Sequence, residues 1–183
     1  MRSRKLAAFL VLVMATTGLG TTTATAATID QTVSAIRENH LPDSLGDLEI
    51  STQNQIICLA LNQYHEARGS TEADIKAVGF STRNRVQKKG RDYCDIIWER
   101  LCARCAPQYV WTGRDVSGII PKEKASWSRM IDYARQIVTN DELADPTGGA
   151  DSFFSRKIKM PEWAKRSPFQ TPIGAHIYVR MIR

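Results

Sequence analysis

The strongest constraint on how this chain folds lies between residues 56 and 69. The apolar residues Ile56, Ile57, Ala60, Leu61, Tyr64 and Ala67 recur at three- and four-residue steps, the spacing that gives a helix one buried face. Gly69 follows where a left-handed C-cap is expected, because glycine takes that conformation without a Cβ penalty. Glu66 then falls in the final turn, against the negative end of the helix dipole, where a carboxylate is disfavoured by roughly 0.3–1 kcal/mol. Burial would raise its pKa further. A carboxyl kept protonated near neutral pH is what general-acid chemistry requires. The competing reading is a surface carboxylate paired with Arg68 or Lys76.

The N-terminus has the form of an export leader. Arg2, Arg4 and Lys5 precede an apolar run from Leu6 to Met14, and Ala24-Thr25-Ala26 is an A-x-A cleavage pattern. The apolar run falls short of the roughly 20 residues that span a bilayer. Removal of residues 1–26 would leave 157 of the 183 residues. The expectation is an exported, periplasmic or extracellular protein without stable membrane insertion. A lead-in arm covers 27–50 and the main domain 51–183.

Loss of the leader removes three cations and no acids, so the formal charge of +6 falls to about +3. That suits an anionic polymer such as a cell wall. It is too weak and too dispersed for a nucleic-acid binder. A chain of this length supports one hydrophobic core, and a monomer is expected.

Four cysteines remain, Cys58, Cys94, Cys102 and Cys105, and disulfides are the default outside the cytoplasm. Three complete pairings exist. Cys58, on the apolar side of its helix, reads as a buried thiol. Cys94 with Cys102 or Cys105 would then form the bridge. A zinc site built from Cys94, Cys102, Cys105 and a histidine is the rival, although one C-x-x-C is weak support. No metal or other cofactor is expected.

The remaining pattern is helices first and strands last. Ile29, Val33 and Ile36 mark a short helix before the turn at His40-Leu41-Pro42-Asp43. Ser70 and Thr71 with Asp74 resemble a capping box opening a helix to about Val86, whose small residues permit close packing. Helices are expected over Tyr93–Leu101 and Lys124–Thr139, the latter with Trp127, Ile131, Ala134 and Val138 on one face. Turn residues at Asp145–Gly149 introduce a strand from Ala150 to Ser155, a Pro-bounded loop from Met160 to Pro172, and a strand within Ile173–Ile182. The layout is α+β, mostly helical, with a small antiparallel sheet in the C-terminal third.

Four stretches, in order, support a resemblance. Tyr64-His65-Glu66-Ala67-Arg68-Gly69 resembles the Y-G-E-A-R-G-E signature of the SleB/CwlJ-type cell-wall hydrolases, the spore-cortex-lytic-enzyme-like family. Ala77-Val78 with Arg83-Asn84-Arg85-Val86 resembles its A-V-A…L-N-R-V helix. Cys105-Ala106-Pro107-Gln108-Tyr109-Val110-Trp111-Thr112 is similar to its C-x-Q-F-S-W-T loop, with two extra residues after the cysteine. Asp145–Ala150, Pro161-Glu162-Trp163-Ala164 and Ile173–Tyr178 resemble its closing segment. The match covers about residues 55–180.

The resemblance implies a lysozyme-like fold and cleavage of the bond from N-acetylmuramic acid to N-acetylglucosamine in peptidoglycan. The reaction would be that of a lytic transglycosylase, with Glu66 as the single catalytic carboxylate. A conventional glycosidase would need a second carboxylate about 5–9.5 Å away. Asp151 and Glu72 are the candidates, but neither sits in a comparable motif. Gln108, Tyr109, Trp111, Asp151 and Phe153 are the expected substrate contacts: the aromatic faces for sugar stacking, Gln108 for an N-acetyl group. Core burial of Trp111 is the alternative. Arg68 is expected to point away from Glu66, His65 to cap or pack, His176 to be structural, and Asn84 to bond between helices.

The chain also departs from the family pattern. Ser70 replaces the second Glu of the signature. Gly149-Ala150-Asp151-Ser152-Phe153-Phe154 replaces G-A-T-H-Y-H, so two histidines and a tyrosine hydroxyl are gone. A wall-binding protein on the same fold, with turnover lost, is therefore the second reading.

Overall fold

The computed structural model describes residues 27–181 apart from 101 and 103, and the leader expected at 1–26 lies outside that range. Helix α1 (Ile29–Asn39) opens on a capping box in which Thr28 and Gln31 bond each other's backbone N–H groups. A short 3-10 turn at Asp43–Leu45 leads to α2 (Ile50–Ala67). Then come α3 (Glu72–Lys89), α4 (Tyr93–Ile97), a 3-10 turn at Val110–Gly113, α5 (Val116–Ile119) and α6 (Lys124–Thr139). The C-terminal third holds β1 (Ser152–Ser155), α7 (Glu162–Lys165), β2 (Gln170–Ile173) and β3 (His176–Val179). The sheet order is β1-β3-β2, with both pairings antiparallel. The α+β class expected from the sequence is what the chain adopts.

The centre of the molecule is α2, buried on all sides from Ile56 to Tyr64. The amphipathic pattern captured only part of this, because Asn62 and Gln63 also lie inside. Each side-chain amide nitrogen bonds α3: Asn62 Nδ2 donates to Thr82 Oγ1 at 3.0 Å and Gln63 Nε2 to the Ile75 carbonyl at 3.1 Å, while the two amide oxygens are buried without a partner among the described residues. Bonding at nitrogen offsets part of the desolvation cost that would otherwise keep amides out of a core. Gly79 of α3 makes the close approach possible, since a Cβ there would stand 2.7 Å from Gln63 Nε2 and 2.5 Å from Ile137 Cδ1. Helix α6 covers another side with Trp127, Met130, Ile131, Ala134 and Ile137, while Val138 stays partly exposed. Val33, Ile36 and Leu45 from the 27–50 segment join the same core. No helix among the described residues is long and apolar enough to cross a membrane.

The sheet is fastened to α3 through Asp74. Thr71 caps α3 by accepting from the Asp74 N–H, but the Asp74 side chain does not complete a capping box. It turns inward, 0% exposed, and takes bonds from Ser70 Oγ, the Ala175 N–H (3.0 Å), His176 Nδ1 (3.0 Å) and the Tyr178 hydroxyl (2.7 Å). Burial alone would raise its pKa; the bonds from His176, Ser70, Tyr178 and Ala175 outweigh that and hold it at about 2. Gly174 makes the β2–β3 turn at φ +56°, and a Cβ there would lie 2.5 Å from Asp74 Cβ.

Several expectations are corrected. Gly69 is not a left-handed cap. Arg68 stays right-handed, Ser70 N–H bonds the Ala67 carbonyl at 2.9 Å, and the missing Cβ of Gly69 faces open space. The left-handed cap belongs to Gly90, ending α3. Helix α4 stops at Ile97, and the Pro-bounded loop holds both α7 and β2. The cysteine pairing is Cys58–Cys94 and Cys102–Cys105. Cys58 is no free thiol because α4 packs across α2, held where Gln55 Oε1 accepts the Tyr93 N–H, which brings the two Cα atoms to 5.2 Å. All four cysteines are oxidised, which leaves no thiolate for the zinc alternative. Asn84 ties α3 not to a helix but to the turn before β1, donating to Asp145 Oδ2 (2.9 Å), Thr147 Oγ1 and the Ala150 carbonyl.

Candidate functional site

A groove of about 710 Å³ runs past the C-terminal end of α2. Glu66 projects into it from the last turn. One wall is the stretch Gln108-Tyr109-Val110; the other is Ser152 and Phe153 of β1 with Trp163 of α7 and Met181. Arg85 of α3 lines the groove beside Gln108 and Tyr109. Val110, which also lines it, is 79% exposed.

Glu66 is the sole carboxylate on the groove among the described residues. Desolvation raises its pKa; the charges of His176 and Arg114 and the nearby Trp111 indole oppose the rise without cancelling it. Among the described residues it forms no ion pair, because Arg68 turns to Glu123 (3.4 Å) and the Tyr64 ring, and Lys76 to Glu72 (2.6 Å). The surface-carboxylate alternative therefore fails. Burial is the leading cause of the shift.

Behind Glu66 stands a packed aromatic floor. Trp111 is 3% exposed, stacks on His65 at 4.6 Å, and meets the Trp98 ring edge-on at 5.2 Å. Its indole N–H is buried with no partner in hydrogen-bonding geometry. His65 bonds the Ile119 carbonyl at 2.8 Å, and burial lowers its pKa to about 4, so it is neutral packing material at pH 7.

The structure brings together Glu66, Gln108, Tyr109 and Phe153 of the expected site residues. Trp111 is core behind them, with no face on the groove. Asp151 is outside it, buried and ion-paired with Lys88 while accepting the Met181 N–H at 2.9 Å. Glu72 lies off the groove, so neither proposed second carboxylate reaches Glu66's neighbourhood. His176 is structural, as expected, through Asp74; it also packs edge-on to Phe153 at 5.1 Å.

Sequence reasoning gave no role to Arg85, Val110, Ser152, Trp163 or Met181. Arg85 orders the first wall, with Nη1 donating to the Tyr109 hydroxyl at 3.2 Å and Nη2 to Gln108 Oε1. That leaves the Gln108 NH2 as the group able to donate to a ligand. Arg85 and Trp163 both lie in the quoted motifs, which was the available signal. No protein-family model, curated protein or solved structure matches this chain.

Proposed function

We propose that this chain is an exported peptidoglycan-cleaving enzyme of the lytic transglycosylase type. The observation that carries the reading is the raised pKa of Glu66 as the one carboxylate on an aromatic-walled groove. The motif resemblance points the same way. Phe153 and Trp163, both half-buried, offer ring faces of the kind sugars pack against, Tyr109 itself being buried at 6% exposure, and the Gln108 amide suits an N-acetyl oxygen.

In this reading protonated Glu66 donates its proton to the glycosidic oxygen as the bond from the muramyl anomeric carbon breaks. The resulting carboxylate takes the proton of the muramyl C6 hydroxyl, whose oxygen bonds that same carbon. A 1,6-anhydro ring forms, no water is consumed, and Glu66 ends protonated. One carboxylate serves both steps, which is why the lack of a second along the groove favours this route over hydrolysis.

The test is digestion of purified peptidoglycan by the wild type and by Glu66→Gln, with products read by mass spectrometry. The expected result is 1,6-anhydromuramyl ends from the wild type and a loss of about 10²–10⁴-fold in the variant. Reducing ends would mean hydrolysis by an activated water. Absence of products from both proteins would favour a wall-binding module.

A further inference from the structure

The groove does not end at Met181. Two smaller clefts, about 290 Å³ and about 140 Å³, open beyond that residue and share it as a wall. The charge along this path is one-sided. Arg85 lies in the groove, Lys88 and Arg180 in the larger cleft, and Arg166 in the smaller. Against them stand Glu66, and Asp151 already paired with Lys88. Among the described residues no carboxylate comes within 4.0 Å of Arg85, Arg166 or Arg180.

Arg85 is held by uncharged groups, with the Glu99 carboxylate, itself paired to Lys89 and Arg91, acting on it only from beyond 4.0 Å. Its two bonds go to the uncharged oxygens of Tyr109 and Gln108, out of the five donors a guanidinium carries. Arg180 likewise bonds a carbonyl, that of Gly148, and lies over the Phe169 ring at 4.7 Å. Guanidinium groups fixed in this way present a planar fork that matches a carboxylate. A concave surface lined by one sign of charge also raises the local concentration of opposite charge.

We propose that Arg85, Arg166 and Arg180, with Lys88, form a subsite for the free carboxylates of a peptide carried on the muramyl sugar. It would select peptide-bearing strands over bare glycan. The proposal rests on the reading of the groove as a peptidoglycan site. A stem attached through the lactyl ether leaves the sugar chain sideways, and the clefts flank the groove on the side that Met181 marks.

The test uses the inert Glu66→Gln protein and measures equilibrium binding to three soluble strands. One bears native stems, one bears stems with amidated carboxyls, and one has its stems removed by an amidase. The expected result is binding to the native strand about 3–10-fold tighter than to the other two, the range of one or two partly exposed charge contacts. Adding Arg166→Gln and Arg180→Gln should erase that preference, and Lys159→Gln, on the exposed turn after β1, should preserve it. Equal binding to all three strands overturns the subsite alone. Equal binding to native and amidated stems, both tighter than stripped strand, also overturns its electrostatic basis. Binding to none overturns the subsite and the peptidoglycan reading together.

Discussion

Replacing Asp74 by Asn should be among the most damaging isosteric changes in the chain. Four donors converge on this carboxylate: Ser70 Oγ, the Ala175 N–H, His176 Nδ1 and the Tyr178 hydroxyl. An amide offers one acceptor oxygen and sets an NH2 against groups that themselves donate. Leaving a buried donor unsatisfied costs about 1–3 kcal/mol, more where its partner was a charged carboxylate, and several donors lose that partner here. A loss of about 3–5 kcal/mol is expected at pH 6, out of a typical 5–15. In urea at about 1–3 kcal/mol per molar that moves the midpoint by about 2 M. The pH dependence supplies a sharper check. The folded-state pKa of about 2 lies below the ordinary 3.8, so the charge stabilises the fold above pH 4 and that contribution disappears as pH falls toward 2. At full strength the difference is worth about 2 kcal/mol. Asp74 is fully covered but lies shallow beneath the surface, so about 1–2 kcal/mol is the better expectation. Urea melts of both proteins at pH 6, 4 and 2.5 should show the gap between them narrowing by that amount. A gap below 1 kcal/mol at pH 6, or one that stays constant to pH 2.5, would refute the reasoning.

The Glu66→Gln protein should be more stable than wild type at neutral pH, because burial raises the folded-state pKa and the ionised form is disfavoured there. Thermal melts should show that gain fading as pH falls through the ordinary 4.5, and a pH-independent difference would contradict it. Gly174→Ala should cost about 2–4 kcal/mol, combining left-handed strain with collision against Asp74; a fall in Tm under 3 °C would argue against it. Opening Cys58–Cys94 as a double alanine variant should cost about 3–4 kcal/mol for its 36-residue separation, against about 2 for the 3-residue separation of Cys102–Cys105. On titration with dithiothreitol, alkylation and mass mapping should show Cys102 and Cys105 labelled first, since Cys58 and Cys94 are buried. Simultaneous labelling would sink that order.

The helices were legible where periodicity and caps agree. Lys124–Thr139 matches α6 residue for residue, because Trp127, Ile131 and Ala134 repeat on one face and the segment packs as a simple amphipathic element. The end of α2 misled, since a glycine after a helix is a statistical sign and the local turn around Ser70 needed no left-handed residue. β2 escaped because Pro172 lies within it; the strand is at the sheet edge, where proline is tolerated. Of the residues that line the groove, Glu66 stood out from the helix pattern itself, and Gln108, Tyr109 and Phe153 through the motif resemblance. Arg85 was not, because its role depends on a loop 23 residues away for Gln108, a juxtaposition that no local pattern encodes. The cysteine pairing failed for the same reason, as it follows from how α4 crosses α2.

Both walls of the groove hang from α3. Arg85 grips the Gln108–Tyr109 side, and Asp74 grips the strands that carry Phe153. A single rod of backbone therefore sets the gauge of the opening, firmly where the buried Asp74 carboxylate holds the strands and more loosely where Arg85 makes its surface bonds.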